Sequence, residues 1–118
     1  MIPAKINLTI YQGTTFKKEF QWLIGTPPTP VDITGYTFRM QIREKIKDPD
    51  FLVELTTENS KIVITTPVEG RFSLIVSHIE TSLMDFKTAV YDLEVISPSG
   101  EVSRFCEGSV QISPEVTR

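Results

Sequence analysis

Residues 32–43 read DITGYTFRMQIR, and the fold follows from how they alternate. Phe38, Met40 and Ile42 fall on one side, and Arg39, Gln41 and Arg43 on the other. A strand points successive side chains to opposite faces, so this stretch is a strand with one apolar face and one cationic face. Gly35, inside the preceding "DITGY", supplies the positive φ of a turn. The same period of two recurs outward in both directions. Towards the N-terminus, Ile6, Leu8 and Ile10 alternate with Asn7 and Thr9, and Phe16, Phe20, Trp22 and Ile24 follow in a β-rich run that Lys18 interrupts.

Between these runs, "GTPPTPVD" (25–32) holds three prolines and a glycine and reads as a loop, because proline cannot donate within a central ladder. Towards the C-terminus, "KDPD" ends the strand. "FLVELTT" and "KIVITT" are two short strands, with "ENS" between them as a hairpin turn. "RFSLIVS" and "VYDLEVIS" each present an apolar face, and "SPSGE" is a tight hairpin loop. "VSRFCEGSVQIS" closes the series, with Gly108 as its bulge or bend. About eight strands at a spacing of roughly 8 to 12 residues make an all-β chain, an antiparallel sandwich (Ig-like or jelly-roll-like) or a barrel.

One segment departs from the period. "SHIETSLMDF" places Ser77 three residues before Glu80, a capping-box spacing. Ile79 and Leu83 then share a helical face. A helix of one to two turns is expected over 78–85.

Length and composition bound the function. A chain of 118 residues makes one domain, 1–118, and is long enough to bury roughly two-thirds of its unfolded surface. Twelve basic and fifteen acidic residues leave a net charge of −3, the wrong sign for a dedicated nucleic-acid binder. No apolar run approaches the roughly 20 residues of a membrane helix. The N-terminal "MIPAKINLTIYQG" lacks the apolar core of a signal peptide, so folding in a reducing cytoplasm is expected.

Chemistry-bearing residues are sparse. His78 and Cys106 are single, so neither a Cys/His zinc site nor a disulfide can form within one chain. A catalytic Cys–His pair would need an exposed helix start to meet a late strand. "KDPD" lacks the oxygen spacing of a calcium loop, and "GTPPTP" lacks that of a phosphate loop. No catalytic residue, metal ligand or cofactor is expected. Of the aromatics, Phe16, Phe20, Trp22, Tyr36, Phe72 and Tyr91 read as core, whereas Tyr11 and Phe51, near strand ends, read as exposed anchors. The candidate partner-contact residues are Tyr11, Arg39, Gln41, Arg43 and Phe51. The first reading of the cationic face is internal pairing, with Asp92 of "YDLE" opposite Arg39 or Arg43, ahead of a protein contact.

The order of these motifs carries a resemblance. "QGTTF", an aromatic-basic strand and "VDITGYTFRMQIRE" are followed by "EGRFSLIVSHIETSLM" and "AVYDLEVISPSGEVSRFCEGSVQISPEVTR". Over almost its whole length the chain resembles small structural proteins of tailed bacteriophages. It is also similar to the N-terminal β-domain of phage baseplate upper proteins, which attaches a receptor-binding appendage. The resemblance implies a virion component of the tail, baseplate or appendage region. Such a component is made in the host bacterial cytoplasm, works through other virion proteins and as a homo-oligomer, and has no catalytic residue. The terminal segments "KINLTIYQ" and "GSVQIS" are the strands expected to add to a neighbour's sheet. The alternative is a sandwich module that binds carbohydrate or another host surface, with Tyr11 or Phe51 in the contact.

Overall fold

The alternating runs form strands, with breaks at Ile6 and at Trp22. The computed structural model describes all 118 residues. One sheet takes β1 (Ala4–Lys5) and β2 (Leu8–Tyr11) as successive halves of an edge, then β11 (Val102–Ser113), β10 (Thr88–Ile96), β6 (Thr37–Arg43) and β7 (Val53–Thr56). A second sheet has the order β3 (Phe16–Gln21), β9 (Arg71–Val76), β8 (Ile62–Thr66). Apart from β1 and β2, which run parallel to β11, all neighbours are antiparallel. The additions to the eight expected strands are β1 and a small hairpin of two-residue strands, β4 (Leu23–Ile24), split from the end of the Phe16–Ile24 run, and β5 (Thr29–Pro30), inside the proline-rich loop.

The two sheets pack face to face over one core of 20 buried apolar residues. Phe38, Met40 and Ile42 of β6 point into it together with Leu93 and Val95 of β10. From the facing sheet come Phe72, Leu74 and Val76 of β9. The Phe38 and Phe72 rings stack across the gap with centroids 4.2 Å apart. Burying two such rings favours folding by about 3–6 kcal/mol in transfer terms. Phe20, Phe72 and Tyr91 are buried as their parity requires, while Phe16, Trp22 and Tyr36 pack partly buried against the core.

Three local expectations change. The "ENS" segment is not a hairpin turn: β7 belongs to the first sheet and β8 to the second. Asn59 explains the crossing. Its Oδ1 accepts from the amides of Thr56 (2.9 Å) and Lys61 (3.0 Å), and its Nδ2 donates to the Glu54 carbonyl (3.0 Å). The side chain thus occupies two outward backbone groups of β7, the Thr56 amide and the Glu54 carbonyl, and the chain leaves that edge instead of pairing along it.

Second, the bulge lies at Phe105 and not at Gly108. Leu93 and Glu94 pair with Cys106 and Arg104, leaving Phe105 as the extra residue of β11. Strict alternation would put Phe105 outside once Cys106 points in. The bulge lets both face inward, and Phe105 meets Phe20, Trp22 and Phe72 edge-on. Gly108 instead permits close approach: a Cβ there would stand 2.2 Å from the Ile6 carbonyl oxygen.

Third, helix α1 (His78–Ser82) stops short of residue 85. Half of the capping box forms: Ser77 Oγ accepts from the Glu80 amide at 3.2 Å, while the Glu80 carboxylate pairs with Lys61. The turns at Gly35 (φ 80°) and "SPSGE" also form as expected, the second closing the β10–β11 hairpin. The buried Thr81 hydroxyl donates to the Thr14 carbonyl (2.7 Å) and accepts from the Gly13 amide (3.1 Å), so α1 clasps the β2–β3 turn.

Candidate contact surfaces

The outer face of the first sheet carries Arg39, Gln41 and Arg43 together, as their shared parity requires. Their polar groups are already engaged within the chain, Arg39 in an ion pair and Arg43 with neutral acceptors. Arg39 lies directly opposite Glu94, with Nε 2.8 Å from Oε1. Arg43 donates to the Gln41 side chain (2.6 Å) and to the Asp48 carbonyl (2.9 Å). Gln41 in turn donates to Glu54 at 2.7 Å. Asp92 does not face Arg39 or Arg43. The β6–β10 register sets Gln41 opposite it, and its nearest cation is Arg104, at 3.6 Å.

The register arranges these groups in rows. Lys5, Glu107, Asp92, Gln41 and Glu54 follow one another across five strands. Arg104, Glu94 and Arg39 make the adjacent row. Asp92 therefore stands beside a second carboxylate. Burial raises its pKa above the ordinary aspartate value; Glu94 and Glu107 add to the rise, and Arg104 opposes it. Glu107 is shifted the other way, downward, by hydrogen bonds from Lys5 and Arg104. The face is a mutually paired ladder of both signs, without the exposed aromatic rings that base stacking uses.

Beneath it, Cys106 is fully buried, and burial pushes its thiol up to about 11. The thiolate that a nucleophile requires is scarce at neutral pH. His78 is exposed on α1. No group of three or more His, Cys, Asp or Glu is placed to hold a metal ion, and no helix is long and apolar enough to cross a membrane.

Tyr11 and Phe51 are exposed, at 61% and 47%. They occupy opposite edges of the first sheet: Tyr11 ends β2, and Phe51 leads into β7. Four strand spacings separate those edges, roughly 19 Å. Both nevertheless lie at the same pole of the sandwich, because the C-terminal ends of β2, β6 and β9 and the N-terminal ends of β7 and β10 converge there. The pole also exposes Leu52, Ile79 and Leu83, while Ile46, just past β6, lies over the outer face beside Gln41, Arg43 and Asp92. An open groove of about 460 Å³ runs between the start of β7 and α1, lined by Phe51, Leu52, Leu83, Met84 and Phe86. The Lys61–Glu80 ion pair stands on its wall.

Ile46, Leu52, Ile79 and Leu83 are absent from the sequence-based set. The one signal for the last two is an apolar i, i+4 pair on a helix too short to bury it.

The strand edges differ in protection. Thr9 and Tyr11 turn their amides away from β11, since Ile6 and Gln12, of the opposite parity, donate to it. That edge overlooks a groove of about 300 Å³, lined also by Phe16, Lys17 and Lys18. The "GSVQIS" end of β11 is flanked by β10 and β2 and has no free edge to offer a neighbour, whereas residues 102–105 pair with β10 alone. No protein-family model and no curated protein matches this chain.

Proposed function

We propose that this protein is a structural component of a tailed-bacteriophage virion, in the tail, baseplate or appendage region, acting through contact with other virion proteins. The observation that carries the reading is the apolar groove at one pole: Phe51, Leu52 and Leu83 are exposed around it, with Ile79 of α1 one turn before Leu83, at one end of a sandwich whose broad outer face is polar and internally paired. Large apolar side chains gathered at one place are what a protein contact uses. The motif order of the whole chain, with its likeness to phage tail and baseplate proteins, supports the same assignment. The free β2 edge beside Lys17 and Lys18 suits an extended acidic segment of a neighbour. The alternative module for carbohydrate or host surfaces is less well supported, because its two candidate rings stand at opposite sheet edges and do not form one platform.

Removing residues 1–10 is not a clean test of assembly, because Leu8 and Ile10 belong to the core. A sharper test substitutes Phe51→Asp and Leu83→Asp together, both at exposed positions. Particles are then grown from a host that supplies either form, and purified virions are analysed by mass spectrometry. The wild-type chain is expected in the particle and the folded double variant is expected to be missing from it. Absence of the wild-type chain from particles, or equal incorporation of both forms, overturns the proposal.

A further inference from the structure

We infer that β8 is a self-pairing edge, and that two copies of this chain join there about a two-fold axis through Val63. This contact is separate from the apolar pole and does not depend on the virion assignment.

The argument starts from which backbone groups are free. The Ile75 amide donates to the Lys61 carbonyl at 2.8 Å, so Lys61 turns its carbonyl toward β9. Alternation then turns Val63, which pairs with Ser73, the same way. The amides and carbonyls of Ile62 and Ile64 therefore point away from β9, and β8 has no other partner strand. Such a row is a template for another strand.

The other edges are guarded or charged; the end of β11 at 102–105, paired with β10 alone, carries Arg104. Asn59 fills two outward groups of β7. β3 carries Lys17 and Lys18. The β1–β2 edge is broken after Lys5, and a second copy approaching it would bring the lysines of the β2–β3 groove against their own kind. β8, with the sequence IVITT, has no charge, and its own irregularity lies beyond Ile64.

The free groups fix the register. The one two-fold register that pairs both free residues with free residues sets Ile62 of one copy opposite Ile64 of the other, exchanging both hydrogen bonds, and the reciprocal exchange follows by symmetry. Val63 then meets Val63 on the axis as a non-hydrogen-bonded pair, and Lys61 falls opposite Thr65. No like charges oppose each other. Val63, 37% exposed in the single chain, becomes covered. The two three-stranded sheets would join into one of six strands.

A non-hydrogen-bonded antiparallel pair holds its Cα atoms about 4.5 Å apart, within disulfide range. The test is therefore Val63→Cys in the full chain, oxidised at concentrations from micromolar to near-millimolar and read on a non-reducing gel. Thr65→Cys is the register control, and the wild-type chain, whose Cys106 is fully buried, is the background. Both variants replace exposed residues, and circular dichroism verifies their folding. The expected result is a covalent dimer of Val63→Cys in large excess over Thr65→Cys, with none from wild type. Sedimentation of the wild-type chain should show a concentration-dependent dimer that Val63→Lys abolishes. Equal cross-linking at both positions, or a wild-type chain that stays monomeric throughout the range, overturns the inference.

Discussion

The Tyr91 hydroxyl donates a 2.6 Å hydrogen bond to the carbonyl of Ile6, across 85 positions of sequence. Tyr91 lies opposite Gly108 in the β10–β11 ladder. Since Gly108 has no Cβ, the backbone of Ile6 passes directly over it, between the end of β1 and the start of β2. Between its two short ladders to β11, the N-terminal edge is thus pinned by a phenol reaching through the space that one glycine leaves. Burial raises the phenol's pKa far beyond its ordinary value, so it remains a donor throughout the range in which the protein is handled.

Tyr91→Phe keeps the ring in the core and removes the donor. The Ile6 carbonyl then loses its partner, which costs about 1–3 kcal/mol. Urea denaturation should show the loss as a lower midpoint with an unchanged slope, and amide exchange should accelerate first in residues 4–11. An unchanged midpoint would show that water satisfies the carbonyl equally well. Gly108→Ala attacks the same junction from the other side. The added methyl group meets backbone and not a flexible side-chain end, so relief requires the edge to shift. A loss of about 1–3 kcal/mol is expected. If the two effects do not couple in the double variant, the junction is not one unit.

Asn59→Ala should do two things at once. It removes three side-chain hydrogen bonds to backbone at an exposed site, for about 2 kcal/mol in total. It also uncovers two outward groups of β7, a second open edge. The variant should aggregate faster than wild type at matched stability, measured by light scattering near the unfolding midpoint. Aggregation that tracks stability alone would reject the edge-guarding role.

These residues also mark how far the sequence could be read. The opening strand was legible because Phe38, Met40 and Ile42 share one parity that burial then enforces, and the same rule located all eight expected strands. The all-β class followed from that period. Parity is local, however, and pairing is not. Nothing within "ENS" distinguishes a hairpin from a crossing between sheets; the difference is made by Asn59, whose side chain bonds backbone up to five residues away. Phe105 shows the same limit. Its inward turn depends on a bulge relative to β10, a property of two strands and not of one. For the candidate surface, Tyr11 and Phe51 were legible as exposed aromatics, but their separation across the sheet was not. The cationic face was read correctly as a face. Its partner was misassigned because the choice between Asp92 and Glu94 depends on a two-residue step in register.

Asp92 gives the pH prediction. Its folded-state pKa lies above the ordinary aspartate value of 3.8, chiefly through burial and then through Glu94 and Glu107. In the unfolded chain the carboxyl loses its proton more readily, so ionisation disfavours the fold. The penalty is absent below the ordinary value, grows as pH rises through the raised folded-state pKa, and is constant above it. Asp92→Asn cannot ionise and retains the size of the side chain. It should therefore be the more stable protein at pH 7, with its advantage vanishing as pH falls below 3.8. The carboxyl is 42% exposed and Arg104 offsets part of the cost, so solvent screening holds the gain below about 1 kcal/mol. Thermal melts of both proteins from pH 3 to pH 8 test this. A variant that is less stable at pH 7, or a difference that does not change with pH, would mean that the Arg104 contact outweighs burial and like-charge repulsion at this position.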